Sequence, residues 1–208
     1  MTGSARRVIV LVRGFAEPAV GDKQRAGGTV TLITGDPMVV VDTGAPEQRQ
    51  EIVDACASSG IDPAQVAYVV NTHGHLDHVG NNNLFPHATF VLDTDLAKDG
   101  EYWIHDFRRG PLEIASHGGP PVLVTRTPGH TDHDLSVIVE TADGTVAIVG
   151  DLFEYEGDWL DNAWRAWSKD PVAQLASRDR ILALADRVIP GHGEPFRVAA
   201  SGPASGTR

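Results

Sequence analysis

Apolar residues fall in short runs separated by polar, Gly- and Pro-rich stretches, and run length separates strands from helices. Residues 6–13 form the first run and predict a strand. Residues 27–44, "GGTVTLITGDPMVVVDTG", predict a hairpin turning at "TGDP". "PEQRQEIVDACASSG" predicts a helix, with Pro46 suited to its first position and Gly60 to its C-terminal cap. "VAYVVN", 66–71, is continuously apolar and predicts a strand buried on both faces; "ATFVL", 88–92, predicts another. "PVLVTRTPGH" reads as a strand entering a turn, and residues 135–151 as a hairpin around Ala142-Asp143-Gly144. Residues 98–120 are polar and punctuated, which predicts surface loop. Two helices are expected late in the chain. One covers about 156–168, with Trp159, Leu160, Ala163, Trp164 and Trp167 at helical spacing; the other runs from an Asp170 cap and Pro171 to about Ala185. "RVIPGHG" predicts a last short strand and turn.

Strands with a helix are thus followed by strands with helices, with no linker or repeat between them. This order predicts an α/β (α+β) domain of two packed sheets with helices outside, over residues 6–198, with loose termini at 1–5 and 199–208.

The formal charge of −11 on 208 residues favours solubility and argues against a non-specific grip on a phosphate backbone, so DNA is not an expected partner. A single cysteine, Cys56, excludes an internal disulfide framework and a Cys-rich zinc module; its place on an apolar helix face predicts a small core residue. The run Val8–Val12 is too short for a signal-peptide core or a membrane span, which predicts a cytoplasmic protein.

The chemistry lies at strand ends. "VAYVVN" leads into "THGHLDHVGN", which places His73, His75, Asp77 and His78 within six positions. Three further runs end in Gly and then a ligand-type residue: His130, Asp151 and His192. Five imidazoles and two carboxylates suit zinc, with iron or manganese as alternatives. His73, His75 and His130 can hold one ion, Asp77, His78 and His192 a second, and the two oxygens of Asp151 can reach both. Two ions roughly 3.5–4 Å apart would share one hydroxide, which Asp77 would help orient as the catalytic carboxylate.

These motifs, "THGHLDHVGN", "TPGHT", "GD" and "PGHG", resemble those of the metallo-β-lactamase superfamily in order and type, across about residues 27–198. The resemblance implies a four-layer αββα sandwich with the site at one edge, two Zn2+ per chain, and Asp42 of "VVVDTG" as a support for the ligands. Asp151 stands where antibiotic-hydrolysing zinc β-lactamases commonly carry cysteine, so that activity is not expected. The chain runs only about 15 residues beyond His192, too few for the helical domain of glyoxalase II, and it lacks the long β-CASP insertion. "THGHLDHVGNNNLFP", "GDLFEYEGDW" and "DPVAQLASRDRILALADRVIPGHGEPFRV" resemble one branch whose animal member is described as an endoribonuclease. The resemblance therefore implies a hydrolase of single-stranded RNA or of another anionic or polarised small substrate. Thioester, ester or lactone hydrolysis, as in glyoxalase II, and a mononuclear iron persulfide dioxygenase are the alternatives.

Around the mouth, His133, Asp134, Glu154, Tyr155 and Trp159 are candidates for a pocket wall. The tryptophans at helical spacing read as core before base-stacking platforms, and Arg178 and Arg180 as a solvated helix face before phosphate contacts. His87, His105 and His117 read as loop or surface histidines.

Overall fold

The structure is a computed structural model that describes residues 6–116 and 119–198; the side chains of Trp159 and Asp161 lie outside that description, as do His117 and the termini at 1–5 and 199–208. In chain order the strands are β1 (Val8–Val12), β2 (Phe15–Ala16), β3 (Ala26–Gly27), β4 (Val30–Ile33), β5 (Val39–Val41), β6 (Tyr68–Val70), β7 (Thr89–Leu92), β8 (Asp95–Lys98), β9 (Glu101–Ile104), β10 (Leu112–Ile114), β11 (Val122–Arg126), β12 (Leu135–Thr141), β13 (Gly144–Gly150), β14 (Arg187–Pro190) and β15 (Phe196–Arg197). The α-helices are α1 (Arg49–Ser58), α2 (Leu76–Val79), α3 (Asp158–Asp161) and α4 (Pro171–Leu184).

Two sheets carry the fold, ordered β1-β4-β5-β6-β7-β8-β9 and β10-β11-β12-β13-β14-β15. Their facing side chains, among them Val39, Val41, Val70, Val124, Val137 and Ile148, form the central core. The opposite faces are buried too. Val40 and Val69 pack under α1 with Ile52 and Cys56, and Ala147 and Val149 pack under α4 with Ile181. Apolar residues on both faces of β5, β6 and β13 are what a sheet covered by helices requires. The layers are therefore helix, sheet, sheet, helix, as expected from the sequence. Among the described residues, no helix is long and apolar enough to cross a membrane.

Two stretches differ from expectation. Residues 98–120 are not simply loop: β8 and β9 form a hairpin over Asp99-Gly100, both at positive φ, and β10 pairs with β11. Asp-Gly is the turn that a two-residue hairpin favours. The arms escape the pattern because β9 is exposed along its length and carries no burial alternation. The expected helix over 156–168 is broken into α3 and a 3-10 turn over Ala163–Ala166, because Asn162 between them adopts φ 60. Trp164 is buried, but Leu160 and Trp167 face solvent, so the apolar spacing there builds no continuous face.

Strand direction puts the ligands at one edge. β5, β6 and β7 are mutually parallel, as are β13 and β14. β11 is antiparallel to β12, which is antiparallel to β13, so β11 also runs with β13. The C-terminal ends of these strands meet where backbone bonds cross-link the sheets: Thr29 N–H to Gly191 O at 2.8 Å and Leu135 N–H to Thr72 O at 2.7 Å.

Candidate metal centre

Each ligand-type residue follows a strand end. β6 leads to His73 and His75 and into α2, a single turn carrying Asp77 and His78; β11, β13 and β14 lead to His130, Asp151 and His192. The glycine before His192 has no room for a side chain, because a Cβ on Gly191 would collide with the Asp151 carboxylate. Gly129 sits at φ 146 against the backbone of Gln174, which brings the His130 loop down onto α4.

All seven residues come together, in overlapping groups. His73, His75, His130 and Asp151 form one group whose donor atoms all lie within 4.8 Å of one another; Asp77, His78 and His192 form a second. Asp151 faces both. Its Oδ2 lies 3.5 Å from His73 Nε2 and 3.4 Å from His130 Nε2; its Oδ1 lies 3.1 Å from His78 Nε2 and 3.3 Å from His192 Nε2. Asp77 Oδ2 lies 3.6 Å from His192 Nε2. His75 and Asp77 reach solvent, and the other five are buried.

Three of the outward nitrogens are held. His78 Nδ1 meets Asp42 Oδ2 at 2.8 Å, His192 Nδ1 meets Gly27 O at 3.1 Å, and His73 Nδ1 meets Thr72 Oγ1 at 3.1 Å. Asp42 also accepts from Thr72 N–H and Thr72 Oγ1–H, both at 2.7 Å, in the supporting role the resemblance implies. Each such bond fixes which ring nitrogen turns inward.

This set fits metal ions. Buried His78 Nε2 has no sound hydrogen bond among the described residues, and His75 Nδ1 lies 2.9 Å from His73 Nε2 and 3.1 Å from His130 Nε2. Imidazole lone pairs crowd together here, and a bound cation would satisfy several of them at once. The proton affinities of the metal-free protein carry the same message. Burial pushes His73 well below its ordinary value. Burial also pushes on His78 and His192, but the Asp151 carboxylate outweighs it: His78 is held well above its ordinary value, and His192 at about 9. Against its own burial, the surrounding imidazoles hold Asp151 well below the usual carboxylate range.

Glu154, expected only as pocket wall, comes closer. With Asp151 and His192 it forms a third group of converging donors, and its carboxyl oxygens lie 3.9 Å from both His130 Nδ1 and His192 Nε2. Burial and the nearby Asp151 charge raise it to about 8. Asp134 is buried and binds Thr131, bracing the His130 loop, whereas His133 is exposed and pairs with Asp93 at 3.0 Å. Arg178 corrects the sequence reading outright: it is neither a solvated residue nor a phosphate contact. It is buried, donates to Asp158 Oδ2 at 2.6 Å and Leu152 O at 2.7 Å, and packs 4.1 Å from the Trp164 ring centroid. Arg180 donates to Arg126 O. His87 is exposed, and His105 is half-buried and meets Gly110 O at 3.1 Å.

The family model of the metallo-beta-lactamase superfamily matches residues 25–192, a span that contains every one of these ligand-type residues. The chain belongs to the metallo-beta-lactamase superfamily. It is 46% identical over 201 residues to metallo-beta-lactamase domain-containing protein 1 of Xenopus laevis, covering 96% of this chain and 85% of that one. The Homo sapiens protein of the same name is 42% identical, covering 94% and 84%. Among solved structures, an N-acyl homoserine lactone hydrolase with its product at the catalytic metal centre shares the fold, with a TM-score of 0.65, 20% identity, and coverage of 93% and 94%. As a member of this superfamily the chain is a metal-dependent hydrolase with a His/Asp cluster able to bind metal ions.

Proposed function

We propose that the chain is a dinuclear zinc hydrolase whose substrate is a phosphodiester of single-stranded RNA. The observation that carries the two-metal reading is Asp151, which turns one oxygen to each ligand group. His73, His75 and His130 would hold one ion, and Asp77, His78 and His192 the other. Bound there, the ions would supply Lewis acidity and a hydroxide at neutral pH. Asp77, half-buried with its Oδ2 3.6 Å from His192 Nε2, would help hold an ion and orient the attacking oxygen. Two divalent ions, two carboxylates and one hydroxide leave the centre with roughly one net positive charge, which suits an anionic scissile group despite the acidic chain. RNA as the substrate rests on likeness to the branch whose animal member is described as an endoribonuclease.

The same centre supports a second reading, ester or lactone hydrolysis, which is favoured by the lactone hydrolase of matching fold. A panel of labelled single-stranded RNA, S-lactoylglutathione, an acyl homoserine lactone and a β-lactam decides between them. RNA left intact beside a rapidly cleaved thioester or lactone overturns the phosphodiester assignment. Elemental analysis should find about two zinc ions per chain; a single iron with oxygen consumption would overturn the hydrolase reading. Asp77→Ala should abolish turnover with an unchanged circular dichroism spectrum.

A further inference from the structure

A cleft of about 390 Å3 opens directly beside the second ligand group, with His192 and Glu154 in its wall. Much of its lining is aromatic, with Tyr155, Trp164 and Trp167, and Gln24 lines it as well. The two tryptophans differ. Trp164 is buried and already packs against Arg178 and Arg165, whereas Trp167 is 60% exposed. Tyr155, at 40%, is also open to solvent. A large aromatic surface left in water beside a reactive centre loses nothing by being covered, and a flat ring covers it best.

The polar lining narrows the ligand. None of the described residues that line the cleft is Lys or Arg. The acids and amide present are Glu154, Gln24 and Glu17, and Glu17 is already paired with Arg25 at 2.8 Å. A second phosphate placed there would find no cation among the lining residues and would face the acids Glu154 and Glu17. Stacking on an aromatic face tolerates any base, because every base presents a π-face.

We infer that this cleft is a nucleobase subsite: it takes one uncharged base of the strand, stacked on Trp167, while the adjoining phosphodiester sits at the ligand cluster. The inference rests on the phosphodiester reading and narrows it. Beside the scissile group the cleft takes a neutral ring and not a second phosphate, so nucleoside di- and triphosphates are poor ligands.

The test has two arms. In the first, the indole N–H signals of the zinc-loaded protein are followed by NMR during titration with guanosine and adenosine, and Trp167→Phe assigns the Trp167 signal. Movement of that signal by the nucleosides is expected. An unmoved signal overturns the subsite, as does a signal moved only by N-decanoyl homoserine lactone, which would make the cleft an acyl pocket. In the second arm, Trp167→Ala and Trp167→Phe are compared on labelled single-stranded RNA and on the same strand with one abasic residue. Loss of the base should cost roughly tenfold in kcat/KM at the flanking bond, as should Trp167→Ala, with Phe restoring most of it. Cleavage indifferent to both changes overturns the subsite while the ribonuclease reading stands. RNA left uncut while nucleosides move the Trp167 signal overturns the ribonuclease reading and leaves the ring subsite standing.

Discussion

Asp42 and Asp158 are both buried carboxylates outside the ligand set, and each braces one side of the same centre. Asp42 holds the loop of β6 through Thr72 and His78; Asp158 holds the segment after Asp151, through Arg178 and the Glu154 N–H at 2.7 Å. They differ in what faces them. The partner of Asp158 is a permanent cation. The partner of Asp42 is an imidazole whose charge depends on the site: burial opposes the proton on His78, Asp151 and Asp42 together retain it, and a metal would displace it. The Asp158 support therefore belongs to the fold, and the Asp42 support to the metal centre.

Removing the permanent cation should have the largest effect. Arg178→Met takes the cation from Asp158 and leaves a charge in the interior, which costs about 3–5 kcal/mol for a buried pair. Thermal unfolding should shift down by roughly 6–20 °C for a chain of this size. The double variant Arg178→Met with Asp158→Leu should recover part of that loss. A single variant that melts like the wild type would show that the pair supports nothing.

Asp42→Asn should act in the opposite way, sparing the fold and weakening the metal. An amide cannot accept from Thr72 and His78 on all the edges a carboxylate offers. Metal affinity, read by competition with a chromogenic chelator, should fall about 10–100-fold. Equal damage to melting temperature and to metal binding would erase the distinction between the two carboxylates. The same contrast appears in proton release. Zinc titrated into chelated protein near pH 7.5 should release roughly two to three protons per chain, from His78, from His192 with its value of about 9, and from the water that becomes hydroxide. Calorimetry in buffers of different ionisation enthalpy reads this directly. The sign also fixes the stability of the chelated protein. His192 and Glu154 both bind more protons folded than unfolded, so their contributions to that protein's stability should be lost as pH rises, from about 4.5 to 8 for Glu154 and from about 6.5 to 9 for His192.

The sequence made one of these supports visible and hid the other. Every ligand follows an apolar run, three behind a glycine, so strand, turn and donor could be seen together in a few letters. Asp42 came with the resemblance, at the end of an equally plain strand. Asp158 and Arg178 stand 20 positions apart, on a short broken segment and on a helix, and only packing joins them. Arg178 sits among Asp179 and Arg180, which reads as a wet helix face. What buries it is Phe153 and Trp164, both distant in sequence, with ring centroids 4.5 and 4.1 Å away. The hairpin of β8 and β9 was missed for a different reason: its Asp-Gly turn is in the sequence, but an exposed edge strand lacks the alternation that marks a half-buried one.

The smallest effect should come from the start of α4, and it tests where the boundary between the two kinds of support lies. Asp170 accepts from Val172 N–H and Ala173 N–H, both at 3.0 Å, and its own N–H donates to Gly129 O at 2.9 Å. One turn later, Gln174 Nε2 donates to the carbonyls of Asp151 and Leu152 at 3.1 and 3.2 Å. The cap therefore stands behind both His130 and Asp151 without touching a ligand atom. Asp170→Ala should remove about 1 kcal/mol, the usual cost of a lost cap, and lower the melting temperature by roughly 2–4 °C. Its backbone bond to Gly129 survives the substitution, so metal content should stay at the wild-type value. If metal content falls along with stability, the start of α4 acts as Asp42 does, and the support of the centre extends one layer further into the fold than the ligand contacts indicate.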